Sequence, residues 1–276
     1  MKHLLKLADL STEEIFGILN LADQLKYERK NGIPHPHLAG KKLGMIFTKS
    51  STRTRVSFEV GMTELGGTAL FLSDRDIQLG RGEPIKDTVR VLSRYLDAIM
   101  IRTFAQQDVE DLAKYGSIPI INGLTDYCHP CQVLADLMTI REYKGSLKGL
   151  KLCFVGDGNN MANSLIVGGI KTGMEVSIAS DLKKAAEGAD VLYTDVWASM
   201  GQEGEKAVRE KVFKNYCVDA DLLSVAKSDA MVLHCLPAHR GEEITDEVFE
   251  AHANEIFDEA ENRLHAQKAV LCKVLK

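Results

Sequence analysis

Along the chain the spacing of apolar residues switches repeatedly between a helical and a strand period. Ser11-Thr12-Glu13-Glu14 reads as a helix start, with Ser11 as cap and Glu14 at the third helical position. Ile15, Ile18, Leu19, Ala22 and Leu25 then form one apolar face. A turn-rich break over 31–40 leads into an apolar run at 43–47, which reads as a buried parallel strand. Val56, Phe58, Val60, Met62 and Leu65 return to helical spacing. Gly66-Gly67 turns into 68–72, expected to be a second buried strand, and a polar, Gly-rich stretch follows over 73–84, too long for a tight turn. A helix over 85–96, a strand over 98–102, a helix through 112 and a strand over 118–122 continue the alternation.

His129-Pro130-Cys131-Gln132 opens a long helix over 133–143, which ends in the basic, Gly-rich Lys144-Gly145-Ser146-Leu147-Lys148-Gly149. A domain boundary is placed there, giving domains 1–145 and 146–276. The alternation then restarts, with strands over 150–155, 175–179, 191–196 and 231–235. Helices are expected over 161–171, 182–187 and 205–213, with two more over 246–251 and 262–274. Strands alternating with helices specify parallel sheets covered on both faces. The fold class is therefore α/β, with two doubly wound parallel-sheet domains expected to face one cleft.

In such sheets ligands bind beyond the carboxyl ends of the strands. Nearly every polar cluster of this chain follows a strand. Lys49-Ser50-Ser51-Thr52-Arg53-Thr54-Arg55 stands where the 43–47 strand hands over to a helix. Unpaired N–H groups at a helix start, hydroxyl donors and Arg forks make a phosphate site; an N-cap serine followed by surface arginines is the plainer alternative. Arg102, His129 and Gln132 follow later strands and suit a phosphorylated substrate with a carbonyl to polarise. Asn160, Asp195, Ser199 and Cys235 follow strands of the second half. A carboxylate beside amides suits an amino acid, whose ammonium wants Asp and whose carboxylate wants N–H donors. Singly, each has a structural alternative: Asp195 as a turn cap, Cys235 as a small buried hydrophobe, His129 as a residue preceding a helix.

Composition narrows the classes. At 276 residues the chain suggests about two domains, and 45% apolar with 26% charged residues is ordinary for a globular protein. A formal charge of −5 argues against nucleic acid as a main partner. No apolar run reaches membrane-span length, and acidic residues follow the N-terminus too closely for a signal peptide. Six cysteines without an export signal read as reduced thiols in a cytoplasm. Cys128-His129-Pro130-Cys131 has C-x-x-C spacing, but a structural zinc site needs a second pair of ligands and none appears.

Ser51-Thr52-Arg53-Thr54-Arg55, with Ser57-Phe58-Glu59 beyond it, resembles the carbamoyl-phosphate motif of the aspartate/ornithine transcarbamylase family. Asp157-Gly158-Asn159-Asn160, Asp195-Val196-Trp197-Ala198-Ser199-Met200-Gly201, His234-Cys235-Leu236-Pro237-Ala238-His239-Arg240-Gly241 and Glu261-Asn262-Arg263-Leu264-His265 resemble the ornithine-specific set, in family order. The resemblance implies that Ser51, Thr52, Arg53, Thr54, Arg102 and Arg263 hold the phosphate. His129 and Gln132 would contact the carbamoyl group, with Cys235 and Leu236 near the carbonyl and the attacking amine. Asn160, Asp195, Ser199 and Met200 would bind ornithine, and Gln78 would reach a neighbouring subunit's site in a homotrimer. Arg102, His129 and Cys235 are the expected catalytic residues, and the transfer calls for no metal or cofactor.

One departure stands out. The family carries a further helix and strand after the 175–179 strand, whereas here Ser180-Asp181 leads straight into Leu182-Lys183-Lys184. One helix–strand unit is thus expected to be missing near 180, and the C-terminal helix is expected to pack back on the first domain. Three rivals remain. A transcarbamylase for another amine, such as putrescine, is the near one, and Asp195 with the Ser-Met-Gly loop favours an amino acid with a carboxylate over it. A dinucleotide-dependent dehydrogenase is suggested by Gly156-Asp157-Gly158 after a strand, without the third glycine at fingerprint spacing. A phosphometabolite-binding protein would hold carbamoyl phosphate without turnover.

Overall fold

The computed structural model describes residues 1–178, 180–198 and 203–276. They form two compact units: Met1–Leu134 with Arg263–Lys276, and Ala135–Asn262. The 144–149 segment, where the sequence suggests a boundary, lies in the second unit, and the last helix from Arg263 onward lies in the first.

The first unit begins with α1 (Thr12–Lys30). The expected capping box closes it: Glu14 N–H donates to Ser11 Oγ, and the Glu14 carboxylate accepts from Ser11 N–H. Strands β1 (Lys42–Phe47), β2 (Thr68–Ser73), β3 (Ala98–Arg102) and β4 (Ile120–Leu124) form a parallel sheet in the order β2-β1-β3-β4. Helices α2 (Thr52–Glu64), α3 (Ile85–Leu92) and α4 (Gln106–Tyr115) connect them. Ile46, Ile99, Ile101 and Ile120 pack with Val89, Val109 and Leu112 into one buried cluster. Burying each such side chain contributes about 1.5–3 kcal/mol, so this face alone holds the sheet against α3 and α4. At Gly44 in β1 a Cβ would stand 2.4 Å from Leu96 Cδ1, so a side chain there would force Leu96 to shift.

The expectation that β2 is buried is wrong. β2 lies at the sheet edge and leaves Leu70 44% and Phe71 37% exposed. Its apolar run suits a strand, but sequence alone does not tell an edge from a centre.

Helix α5 (Pro130–Lys144) leads to the second sheet. It contains β5 (Lys151–Val155), β6 (Glu175–Ile178), β7 (Val191–Thr194) and β8 (Met231–His234), all parallel, in the order β6-β5-β7-β8. Helices α6 (Asn160–Thr172), α7 (Leu182–Ala186), α8 (Lys206–Phe213), α9 (Ala220–Leu223), α10 (Asp246–Ala251) and α11 (Ala253–Leu275) complete the chain. One face of this sheet is a cluster of Cys153, Val155, Leu192 and Val232 with Val248, Phe249 and Ile256. On the other face the Phe154 and Tyr193 rings stack, 6.1 Å apart.

Both sheets reverse direction of growth at one place. The chain adds β2 on one side of β1 and then β3 on the other, and does the same with β6 and β7 around β5. A parallel sheet opens a crevice at such a switch point, beyond the strand ends. Phe47 stands opposite Arg102 at one switch, and Val155 opposite Thr194 at the other. The serine–threonine–arginine motif and Arg102 therefore flank the first, and the 156–160 turn and Asp195 flank the second.

Candidate active site

In the first unit, Ser51 caps α2. Its hydroxyl accepts from Thr54 N–H at 3.2 Å and donates to Thr54 Oγ1 at 3.1 Å. Thr54 is fully buried, and its hydroxyl accepts a second hydrogen bond, from Arg263 Nη2 at 2.6 Å. The same guanidinium donates through Nη1 to Gln132 Oε1 at 3.0 Å. One buried Arg fork thus joins the start of α2 to the start of α5, across 209 residues of sequence in the first case. Arg53 is half-buried and Thr52 exposed at the same helix N-terminus, where the helix dipole favours an anion.

His129 is buried just before α5. Burial, and after it the Arg263 and Arg102 guanidinium groups, hold its imidazole well below the ordinary pKa, so the ring is neutral at working pH. Its loop is fixed by small polar groups. Cys128 N–H donates to Thr125 Oγ1 at 3.2 Å, and Asn122 Nδ2 donates to Leu5 O at 2.9 Å. Cys131 Sγ donates to Asn122 O at 3.4 Å. Burial pushes the Cys128 thiol up to about 11 and the Cys131 thiol up to about 12, which makes both packing groups rather than nucleophiles. Lys49 pairs with Asp126 and lies 4.3 Å from the Phe104 ring centre, tying the loop after β1 to the loop before α5.

Gln78 is not part of this cluster. It is exposed on a 3-10 turn, Gln78–Arg81, and makes no side-chain bond to the cluster among the described residues.

In the second unit, the turn after β5 ends in Asn159, the cap of α6. Asn159 Oδ1 accepts from Met161 and Ala162 N–H, while its Nδ2 donates to Asp195 Oδ2 at 2.8 Å. Asp195 Oδ1 accepts from Val196 N–H at 2.8 Å and from Cys235 Sγ at 3.1 Å. Burial, then the Asp195 and Glu259 carboxylates, push the Cys235 thiol well above its ordinary pKa. It stays protonated and donates to Asp195. Leu236 follows at φ 56°, left-handed for a branched residue, and its N–H donates to His234 Nδ1 at 2.9 Å. That bond puts the imidazole proton on Nε2, which donates to Glu243 Oε1 at 3.0 Å. Asn160 is half-buried in the first turn of α6. Ser199 and Met200 lie outside the described residues.

These two constellations agree with what matches the sequence. Residues 2–142 match the family model "Aspartate/ornithine carbamoyltransferase, carbamoyl-P binding domain", and residues 176–274 match its "Asp/Orn binding domain". The chain belongs to the aspartate/ornithine carbamoyltransferase family. It is 54% identical to the ornithine carbamoyltransferase of Oceanobacillus iheyensis, over 99% of this chain and 94% of that protein. It is 53% identical to the one from Archaeoglobus fulgidus, over 100% and 98%. The solved ornithine carbamoyltransferase of Pyrococcus furiosus is similar at a TM-score of 0.94 and 51% identity, covering 99% of this chain and 97% of that one. The Oceanobacillus alignment runs over 303 positions against a chain of 276 residues, so that family member has segments with no counterpart here.

Several supporting residues escape a reading of motifs. Asn159 stands in a motif, but nothing in the sequence marks it as the group that holds Asp195. Arg209 donates to Asp157 Oδ2 at 2.6 Å and to Trp197 O at 3.1 Å, fixing both loops at the second switch point. Nothing in the sequence near Arg209 signals this. Glu259 accepts from His234 N–H at 2.9 Å and from the Tyr193 hydroxyl at 3.0 Å, and so supports the end of β8 from beneath.

Proposed function

We propose that this chain transfers the carbamoyl group of carbamoyl phosphate to the δ-amine of L-ornithine, giving L-citrulline and phosphate. The observation that carries the reading is the Asp195 carboxylate, fixed by Asn159 and Cys235 beside the end of β7 in a chain that is half identical to ornithine carbamoyltransferases along its whole length. A fixed carboxylate is the natural partner of an ammonium group. In this reading Asp195, with Asn160, Ser199 and Met200, binds the amino acid.

Ser51, Thr52, Arg53, Thr54, Arg102 and Arg263 hold the phosphate, and neutral His129 with Gln132 contacts the carbamoyl group. The δ-amine attacks in its neutral form. The new C–N bond forms as the carbonyl becomes a tetrahedral oxyanion, and the C–O bond to phosphate then breaks. The proton shed by the nitrogen ends on the leaving phosphate. Positioning and charge stabilisation supply the rate, because arginines already hold the leaving group. Neutral His129 donates to the carbamoyl oxygen without releasing a proton, and Arg102 stabilises its developing charge. Cys235 and Leu236 lie near the carbonyl and the amine, with the thiol orienting Asp195.

The working form is a homotrimer whose neighbours share sites, and the compartment is the cytoplasm. An exposed apolar group on the first unit, Val56, Val60, Leu70 and Phe71, supports assembly. Six free cysteines and the lack of any helix long and apolar enough to cross a membrane among the described residues accord with the compartment.

The test is a citrulline assay with carbamoyl phosphate and a panel of ornithine, putrescine, lysine and aspartate. Ornithine should be the substrate by a wide margin. Preference for putrescine would reassign the amine, and tight carbamoyl-phosphate binding without turnover on any amine would leave only a binding protein.

A further inference from the structure

Among the described residues, one cluster of metal-ligand types stands in the loop after β8. His239, Glu242 and Glu243 each offer a donor atom, and the three atoms lie within 4.8 Å of one another. The cluster draws on no motif residue assigned to either substrate. We infer that this is a binding site for a single divalent transition-metal ion of the zinc type, and the inference does not depend on which amine the enzyme carbamoylates.

Three observations support it. First, each carboxylate is already held by one oxygen. Glu243 Oε1 accepts from His234 Nε2 at 3.0 Å and from His239 N–H at 2.6 Å. Glu242 Oε1 faces Lys206 Nζ at 3.3 Å. Metal-binding carboxylates are commonly oriented in this way, through hydrogen bonds to the oxygen that does not bind the ion. Second, the remaining oxygen of Glu243, Oε2, is fully buried and has no hydrogen-bond partner among the described residues. A buried carboxylate oxygen without a partner is unfavourable, and a bound cation would give it one. Third, the other Glu242 oxygen, Oε2, stands 3.5 Å from His239 Nδ1. Zinc bonds of about 2.0–2.2 Å hold tetrahedral ligand atoms roughly 3.3–3.5 Å apart, so this pair is already spaced for an ion.

The imidazole decides the class of ion. One nitrogen with two carboxylates suits zinc and its first-row neighbours, whereas magnesium and calcium prefer oxygen alone. Lys206, paired with Glu242, opposes a cation. Arg240 is engaged elsewhere, with Asp246 and Glu250. An ion here would fasten residues 239–243 at one point, shortly after Cys235 and Leu236.

The full chain, stripped with a chelator, is titrated with zinc chloride by calorimetry. One equivalent per chain should bind, with magnesium chloride giving no comparable heat. His239→Ala and Glu242→Gln alter exposed or half-exposed side chains and should fold normally; each should weaken zinc binding at least tenfold. Zinc should also raise the melting temperature of the parent chain and not that of His239→Ala. Cys235 beside Asp195 is the other candidate for zinc, so Cys235→Ser is titrated as well and should bind as the parent does. Absence of binding, unchanged affinity in both loop variants, or loss of binding in Cys235→Ser alone would each overturn the site.

Discussion

At the scale of single residues, Arg263 and Asp195 are held by partners far away in sequence, and the predicted effects follow from those bonds. Arg263 spans Thr54 and Gln132 with one planar fork. Lysine at this position keeps the charge but, as a point donor, cannot hold both partners. Losing a charge-assisted bond costs about 1.5–3 kcal/mol, so Arg263→Lys should raise the carbamoyl-phosphate KM by about one to two decades, with a smaller change for ornithine. Steady-state kinetics with each substrate varied in turn checks this. An unchanged carbamoyl-phosphate KM would remove the phosphate reading of the cluster. Asp195→Asn keeps the shape and removes the charge. The ornithine KM should rise by about one to two decades, far more than that for carbamoyl phosphate. Equal effects on both would make Asp195 a structural group that only orders Asn159 and Cys235.

At the scale of elements, α11 explains both what could be read from the sequence and what could not. Its apolar spacing suggests a start near residue 262, yet the helix begins at Ala253. Ile256 is buried in the core there, but the first turns otherwise turn polar residues toward the sheet and so show no apolar stripe. Glu255 accepts from Val232 N–H, and Glu259 from His234 N–H. Periodicity finds elements that bury hydrocarbon and misses those that bury hydrogen bonds. For the same reason the strands and the motifs at their ends were legible, whereas Arg209, which fixes two of those ends, was not. The Ser51 cap of α2 was legible because capping is local; the Asn159–Asp195 bond was not, because it spans 36 residues.

The buried polar face of α11 continues past Arg263, and this has a consequence for pH. Burial, and then Lys268, Lys26 and Arg29, hold His265 down to about 3. In the unfolded chain an imidazole titrates near 6.5. Between about 6.5 and 3 the unfolded state therefore binds a proton that the folded state refuses. The stability is fully present above that window and falls as the pH drops through it, by about 1.4 kcal/mol per pH unit for one proton. His129 is depressed in the same direction and adds to the slope. In urea unfolding followed from pH 7 down to 4, His265→Gln should be less steep than the parent by one proton. Equal slopes would mean that His265 takes up its proton without unfolding.

At the scale of the whole molecule, the proposed role of Gln78 in a neighbouring site rests on its surroundings, since its side chain bonds to no candidate cluster among the described residues. Its neighbours supply the argument. Ile77 and Leu79 pack against the core of the first unit, and Glu83 accepts from the Thr88 hydroxyl at 2.7 Å. The segment is thus anchored on both sides of Gln78, which faces outward. A polar side chain presented by an anchored loop is placed to reach a second copy, and a head-to-tail contact of this kind closes into a ring. Two variants test it: Arg102→Ala and Gln78→Ala, each shown first to be nearly inactive. They are mixed in equal amounts under conditions that allow subunits to exchange. If a site takes Arg102 from one chain and Gln78 from the next, it is intact when the first chain carries the Gln78 change and the second the Arg102 change. Random mixing makes about a quarter of the sites intact, because two chains must each be of the right kind. Activity recovered near that fraction supports the shared site. If mass spectrometry confirms mixed trimers and activity stays at the level of the single variants, each site is built within one chain, and Gln78 acts from where it stands or not at all.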